Sequence, residues 1–219
     1  MRKRWILGVV GALTLFLAGC GSDTNAPPIV AVEILSDQPS DGDIAFDPVT
    51  GLYGVSQGPP TLFFGIDLLN PNTPEYRAFL DFPLDGSTGF PAIPLNARIT
   101  YAEVKVSIVS VEFGRTIPTL MDLVSYPIKG LTSADYNSDP LTYPDGSFAF
   151  RRFDFFTTDV GNDVAIDVTS LMQEVQRRGL ADFQVRFLLD FVQNPIGFVT
   201  IDDQPTVAIT APRLLVEYY

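Results

Sequence analysis

The stretch 183–192, which reads FQVRFLLDFV, decides the fold class of this chain. Its odd-numbered residues are all apolar and alternate with a mixed set, which is the two-residue period of a β-strand with one buried face. The stretch 102–113 (AEVKVSIVSVEF) alternates in the same way, but its apolar residues are even-numbered up to Ile108 and odd-numbered from Val109. We expect a bulge or a sheet-to-sheet bend there, because side chains change face where the alternation breaks.

The rest of the chain repeats this strand pattern between turns. Further strand-like segments are Ile29–Leu35, Thr61–Asp67, Tyr76–Phe82, Leu120–Tyr126, Ser147–Phe156, Asp163–Val168, Phe198–Ile201, Thr206–Ile209 and Arg213–Tyr219. None of the 18 prolines falls in 95–117 or 145–194, where the clearest strands lie, so proline is confined to loops and edges. With no fixed repeat and no long linker, the sequence predicts one domain over residues 29–219, an all-β, antiparallel jelly-roll-like β-sandwich.

One segment, 169–179 (TSLMQEVQRRG), has helical character instead. Ser170 and Gln173 have the spacing of a capping box, and two apolar residues at i, i+4 share one face. Gly179 suits the left-handed position that ends a helix. We therefore expect one short structural helix that closes an end of the sandwich.

Composition excludes several classes of function. Of 219 residues, 26 are acidic and 14 basic, and histidine is absent. The single cysteine is Cys20, so the chain cannot form an internal disulfide, a Ser-His-Asp or Cys-His catalytic centre, or a zinc site of histidines and cysteines. Beyond residue 19 there are 11 basic and 26 acidic residues, a charge that repels phosphate backbones. We expect no nucleic-acid partner.

The N-terminus has the three parts of a secretory signal, which are a basic patch at 2–4, an apolar run and a small-residue ending. The run 5–18 is shorter than the about 20 residues of a membrane span. Its ending, LAGC at 17–20, resembles the lipobox of bacterial lipoprotein precursors. The resemblance implies a lipoprotein signal peptide at 1–19 and a membrane anchor of diacylglycerol on Cys20. The alternative is an ordinary secreted protein with a stray cysteine.

Residues 20–28 (CGSDTNAPP) are polar and end in proline, and we interpret them as a lipidated tether between membrane and domain. In some Gram-negative bacteria the residue after the lipidated cysteine directs sorting. The lipobox resemblance implies that Gly21, which is not the aspartate of inner-membrane retention, favours the outer membrane. The expected location is the bacterial cell envelope, with a lipid anchor in the outer membrane.

Several segments, in their order along the chain, resemble the DNRLRE-type domain, a bacterial extracellular β-sandwich related to carbohydrate-binding modules. These segments are RAFLDF (77–82), YAEVKV (101–106), IDVT (166–169), FQVRF (183–187) and APRLLVEY (211–218). Together they cover most of residues 40–219. The resemblance implies a jelly-roll-like fold and, in some relatives, carbohydrate binding. This chain departs from the family pattern because its only tryptophan, Trp5, lies in the signal segment.

The loop 130–146 (GLTSADYNSDPLTYPDG) is the longest stretch without a strand pattern, and long loops on a rigid sandwich often carry binding residues. Tyr136 and Tyr143 are its candidate ligand-binding residues, since exposed rings beside acidic groups stack on sugars. The alternative is that both rings fold down and plug the end of the sandwich.

The same loop offers a candidate calcium site. Asp135, Asn137 and Asp139 have the i, i+2, i+4 spacing of a calcium loop, and calcium takes oxygen ligands. Pro140 replaces the glycine that follows in an EF-hand, so the loop is not an EF-hand. The segment 41–47 contains three further aspartates. For both groups the alternative to a structural calcium ion is ordinary turn chemistry.

No nucleophile elbow, P-loop or dinucleotide-binding motif occurs in the chain. Paired carboxylates can hydrolyse glycosides, but with 26 acidic residues the sequence nominates no pair. We therefore expect a protein that is not an enzyme and needs no cofactor apart from that calcium ion. Its expected role is structural or in binding at the envelope, with an envelope protein or a polysaccharide as partner. A surface polysaccharide-binding module is the second hypothesis, and a carboxylate-based glycan-active enzyme the third.

Overall fold

A computed structural model describes residues 27–88, 91–191, 196–204 and 210–219. The signal segment 1–19, Cys20, most of the tether and the expected strand Thr206–Ile209 lie outside the described residues. Within the described ranges, no helix is both long enough and apolar enough to cross a membrane.

The described part of the chain is all-β, as the sequence predicts, with antiparallel pairing between its strands. In chain order the strands are β1 (Val30–Leu35), β2 (Gly42–Phe46), β3 (Tyr53–Gln57), β4 (Thr61–Ile66), β5 (Glu75–Pro83), β6 (Ile99–Glu112), β7 (Thr116–Leu123), β8 (Phe150–Phe156), β9 (Asp163–Asp167), β10 (Asp182–Leu189), β11 (Phe198–Asp202) and β12 (Arg213–Tyr218). The sequence did not predict β2 and β3.

The strands form an antiparallel sheet that curls into two packed layers. In the first layer β6 pairs with β12, β9 and β11, while β1 continues from β12 and β4 from β11. In the second layer the order is β8, β7, β10, β5, and the β2–β3 hairpin pairs with β5. Strands β4 and β5 pair at Gly65 and Tyr76 and join the layers along one edge.

The long strand β6 contains the expected bulge. Its partner β11 places Thr200 opposite Ser110 but Ile201 opposite Ile108, so the register skips Val109. The side chain of Val109 is 48% exposed, whereas Ile108 is buried. The change of phase in the sequence is thus a true β-bulge, and it lies where β6 passes from β12 to β11.

The apolar face of β10 forms the centre of the main core. Phe183, Val185, Phe187 and Leu189 are all buried, as their alternation predicts. The ring of Phe187 lies 5.8 Å, between centroids, from that of Phe64 on β4, so this contact joins the two layers. The pattern overestimates the length of the strand, because β10 ends at Leu189 and Phe191 is 45% exposed.

The expected helix is present as α1 (Thr169–Arg178), but its first turn differs from the prediction. The helix begins at Thr169, whose amide donates to Asp167 Oδ1 at 2.9 Å, so Ser170 is already inside it. Ser170 Oγ instead accepts a hydrogen bond from Tyr143, and Gln173 donates to the Ile99 carbonyl. The capping box is therefore wrong, because both side chains have tertiary partners.

The C-terminal end of α1 follows the prediction. Gly179 has φ 64°, the left-handed conformation, and its amide donates to the last helical carbonyls. An ideal Cβ at Gly179 would meet no atom within 4 Å, so the requirement for glycine is conformational and not steric.

We predict that Gly179→Val lowers the free energy of unfolding by about 1–2 kcal/mol, because a β-branched residue is strained at positive φ. Gly179→Asn is the matched control and should lose less, since asparagine tolerates this conformation. Urea denaturation measures both variants. Equal stability of the valine and wild-type proteins would contradict the left-handed end of α1.

Candidate functional site

A long connection, from Val124 to Ala149, crosses the face of β10 that points away from the main core. The Gln184 side chain holds it by accepting a hydrogen bond from the Tyr126 amide at 2.9 Å and donating to the Tyr126 carbonyl at 3.1 Å. Apolar side chains of the connection pack with Phe79 into a second, smaller core. Both faces of β10 are therefore covered.

A buried ion pair anchors the middle of this connection. Arg186 Nη2 lies 2.6 Å from Asp122 Oδ2, and both side chains are almost completely buried. Arg186 Nη1 also donates to the carbonyls of Asp135 and Tyr136, at 3.2 and 2.9 Å. One guanidinium group thus ties β10 to β7 and fixes the backbone of the loop that carries the predicted site residues.

The structure places the two candidate tyrosines apart, and both rings fold down. Tyr136 is only 3% exposed, and the Arg77 guanidinium carbon lies 3.9 Å from the centroid of its ring. Tyr143 is half-buried against the main core and donates a hydrogen bond to Ser170 Oγ at 3.1 Å. This arrangement corresponds to the second alternative for the loop, in which the rings plug the sandwich, and it leaves no exposed pair for a sugar.

The candidate calcium ligands have other partners. Asp135 Oδ2 accepts hydrogen bonds from the amide and hydroxyl of Thr132, at 2.7 and 2.8 Å, and so closes the turn that leads into the short 3-10 helix Asp135–Asn137. Asn137 donates to the Tyr53 hydroxyl, and Asp139 is exposed. Within the described ranges, no three carboxylate, histidine or cysteine side chains are arranged to hold a metal ion.

A cluster of enclosed carboxyl groups lies where the β1–β2 turn meets the ends of β5 and β11. Asp41, Asp81 and Asp203 are completely buried. Asp41 Oδ1 accepts the Asp81 amide at 2.6 Å, and Ser36 Oγ donates to Asp203 Oδ1 at 3.4 Å. In the described part of the chain, Asp41 Oδ2 and Asp203 Oδ2 accept no hydrogen bond from an amide or hydroxyl group, and the two carboxyl groups lie close enough to interact with each other. We refer to these three aspartates as the buried acid cluster.

Burial changes the titration of the buried acid cluster. It raises the pKa of Asp203 and of Asp81 to about 7. The pKa of Asp41 is raised well above its usual value, first by burial and then by the charge of Asp203. Groups with such shifted pKa values often lie at functional sites, but the side chains of these three are enclosed. A signal for the cluster exists in the sequence, because Asp81 interrupts the apolar run of β5.

The structure also contains an open groove that the sequence did not indicate. It lies between the β2–β3 turn and the β4–β5 loop, has a volume of about 390 Å³ and is lined by Asp47, Leu52, Gly54, Asn72 and Tyr76 among others. We call it the corner groove, because it lies beside the pairing of β4 with β5 that joins the two layers.

We predict that Arg186→Met destabilises the protein by about 3–5 kcal/mol, because it leaves the Asp122 carboxylate buried without its partner. The double variant Arg186→Met/Asp122→Leu should recover much of this loss, since no unpaired charge remains. Chemical denaturation of the single and double variants gives the comparison. A double variant no more stable than Arg186→Met would show that the ion pair is not what the loop depends on.

We also predict that the protein becomes less stable as the pH rises from 5 to 8. The folded pKa of Asp203 is about 7, above its unfolded value, so the folded state binds more protons in this range and stability is lost as they leave. Asp203→Asn should make the profile less steep, since Asp41 and Asp81 keep their raised pKa values, and should raise stability at pH 8 by on the order of 2 kcal/mol. Thermal melts over this pH range test the sign.

The control for the pH profile is Asp139→Asn, which removes an exposed carboxylate and should leave the profile unchanged. A wild-type protein whose stability rises steadily from pH 5 to 8 would contradict the assignment of raised pKa values to the buried acid cluster.

Comparison with known proteins assigns neither a family nor a function to this chain. No family model and no curated protein matches the chain. Among solved structures, the VP2 subviral particle of infectious bursal disease virus matches with 9% identity and a TM-score of 0.14 over 87% of this chain and 75% of that chain. The Gx strain of the same virus gives 10% identity and a TM-score of 0.12, over 87% and 76% of the two chains. Likeness at this level carries no argument, so the DNRLRE-type resemblance stays a prediction.

Proposed function

We propose that this protein is a lipid-anchored component of the bacterial cell envelope with a non-catalytic role, structural or in binding. The observation that carries the proposal is the N-terminal segment, in which a basic patch and an apolar run end at LAGC (17–20) with the single cysteine of the chain. Acylation of Cys20 would make this residue the membrane attachment point.

The position of the domain along the chain is consistent with such an anchor. Strand β1 begins at Val30, ten residues after Cys20. Ten residues span at most about 35 Å when fully extended. A domain on so short a tether stays close to the membrane that holds the lipid, which suits a partner in the same envelope layer.

The chemistry of the chain supports a non-catalytic role. It has no histidine, and its only cysteine is Cys20. The carboxyl groups of the buried acid cluster have strongly raised pKa values, and so has Asp43, but all four side chains are buried, which keeps substrates away from them. Asp47, the one carboxylate among the described residues that line the corner groove, is engaged in turn hydrogen bonds.

The second candidate function is that of a surface polysaccharide-binding module. The corner groove favours it, because this groove combines neutral hydrogen-bonding side chains with an aromatic ring on a rigid sandwich. The resemblance to DNRLRE-type domains points in the same direction.

We predict that the protein incorporates a fatty-acid label when produced in a Gram-negative host, and that Cys20→Ala abolishes the incorporation. Wild-type protein should enter the detergent phase on phase separation, since the acyl chains partition with the detergent. The variant should give no acylated N-terminal peptide in mass spectrometry.

The matched control is Ser22→Ala, which changes a neighbouring polar residue and should keep the label. A wild-type protein without label, or a labelled Cys20→Ala variant, would overturn the proposed anchor. Neither result bears on whether the domain binds a glycan.

A further inference from the structure

We propose that the corner groove is a binding site for a neutral saccharide unit. This inference rests on the second candidate function, polysaccharide binding, and assigns that function to a place in the fold other than the tyrosine loop 130–146. Three features of the groove suit such a ligand, namely its flat floor, its rigid walls and its free hydrogen-bonding groups.

The floor of the corner groove is flat because small residues face one another across two strands. Gly54 of β3 pairs with Ala45 of β2, and Ala45 pairs with Tyr76 of β5, so the three lie in one row on one face of the sheet. An ideal Cβ at Gly54 would meet nothing within 4 Å. The groove is therefore open space above the sheet and not a packing defect.

The walls of the groove are two loops that are held rigid from within. Asp47 Oδ1 accepts the amides of Val49 and Thr50, at 2.8 and 3.2 Å, and so closes the β2–β3 turn. Asp47 Oδ2 accepts a hydrogen bond from Asn72 Nδ2 at 2.8 Å, which links that turn to the β4–β5 loop. Asn70 Oδ1 accepts the Asn72 amide at 3.0 Å. A preformed groove of this kind costs little ordering when a ligand binds.

The hydrogen-bonding groups left over in the groove are neutral. In the described part of the chain, Asn70 Nδ2, Asn72 Oδ1 and the Tyr76 hydroxyl take part in none of the intramolecular hydrogen bonds, and all three residues line the groove. One is a donor, one an acceptor and the third is both. This mixture matches sugar hydroxyls, which also donate and accept.

Tyr76 also supplies a fixed apolar surface. Its ring centroid lies 6.0 Å from that of Phe63 and 5.5 Å from that of Phe198, both at steep angles, so the ring has little freedom. Burial, together with the charges of Asp67 and Asp43, raises the pKa of Tyr76, and the hydroxyl stays neutral. On the opposite wall Leu52 is 68% exposed. An immobilised ring beside an aliphatic side chain suits the C–H face of a pyranose.

The charge of the groove selects a neutral ligand. Of the described residues that line it, none is lysine or arginine, and Asp47 contributes a negative charge. An anionic sugar would be repelled by this carboxylate and by the acidic surface of the chain. A volume of about 390 Å³ lies in the range of small-ligand sites, roughly 300–1,000 Å³, and suits a short segment of a glycan chain.

The test uses calorimetric titration of the chain from Gly21 onwards, which retains every described residue. The probes are the neutral tetrasaccharides of cellulose, starch, mannan and xylan, with tetragalacturonic acid as the acidic probe. We expect at least one neutral probe to bind and the acidic probe to bind at least about tenfold more weakly.

Two variants locate the site. Gly54→Phe adds a ring above the floor, where a Cβ meets no atom within 4 Å, and should abolish binding. Val55→Phe is the matched control, because successive residues of a strand face opposite sides of the sheet, and it should bind as the wild type does. Tyr76→Phe removes only a hydroxyl and should weaken binding roughly fivefold, the effect of losing one neutral hydrogen bond. Thermal melts confirm that each variant is folded.

A neutral probe that binds the wild type and Val55→Phe but not Gly54→Phe supports the inference. Binding that survives in Gly54→Phe would overturn the site while leaving the polysaccharide-binding role intact. No binding of any neutral probe, or preference for the acidic one, would overturn the site and that candidate role together, whereas the lipid anchor has its own test.

Discussion

The pairing of β6 with three other strands is the constraint on which the rest of the structure depends. Its first half pairs with β12 and β9, its second half with β11, and the bulge at Val109 lies between the two regions. Without this change of phase, the apolar residues on one side of the bulge would face solvent. One extra residue therefore lets a single strand keep its apolar side chains in the main core while it passes from one partner to the next.

Hydrogen bonds from polar side chains of β10 hold a long connection over the outer face of this strand, so that face is not available as a binding surface. Gln184 and Arg186 bind the backbone of the connection that crosses them, so the loop with Tyr136 is built into the fold. That loop has the length and composition of a binding loop, yet its aromatic ring stacks on Arg77 in the interior. The corner groove, by contrast, stays open beside the β2–β3 turn.

The alternation of apolar residues was sufficient to predict most strands and the bulge, and the i, i+4 apolar pair followed by Gly179 predicted the helix. It failed for β2 and β3, because Gly42, Asp43 and Gly54 break the apolar pattern and β3 is mostly exposed. Ser170 and Gln173 were misassigned because tertiary partners compete for them. The corner groove could not be predicted, since Gly54, Ala45 and Tyr76 meet only through the register of three strands. Arg186 and Asp122 are visible in the sequence as charged residues within apolar strands. Their pairing with each other is seen only in the structure.

The antiparallel pairing of β1 with β12 has a mechanical consequence. Val30 lies opposite Tyr218, so the start of one strand and the end of the other are neighbours at the same end of the ladder. A pulling force applied between these two points would load the hydrogen bonds one after another and not all at once. The domain would therefore open by peeling β1 away at low force, and it is poorly suited to bear tension between those two points.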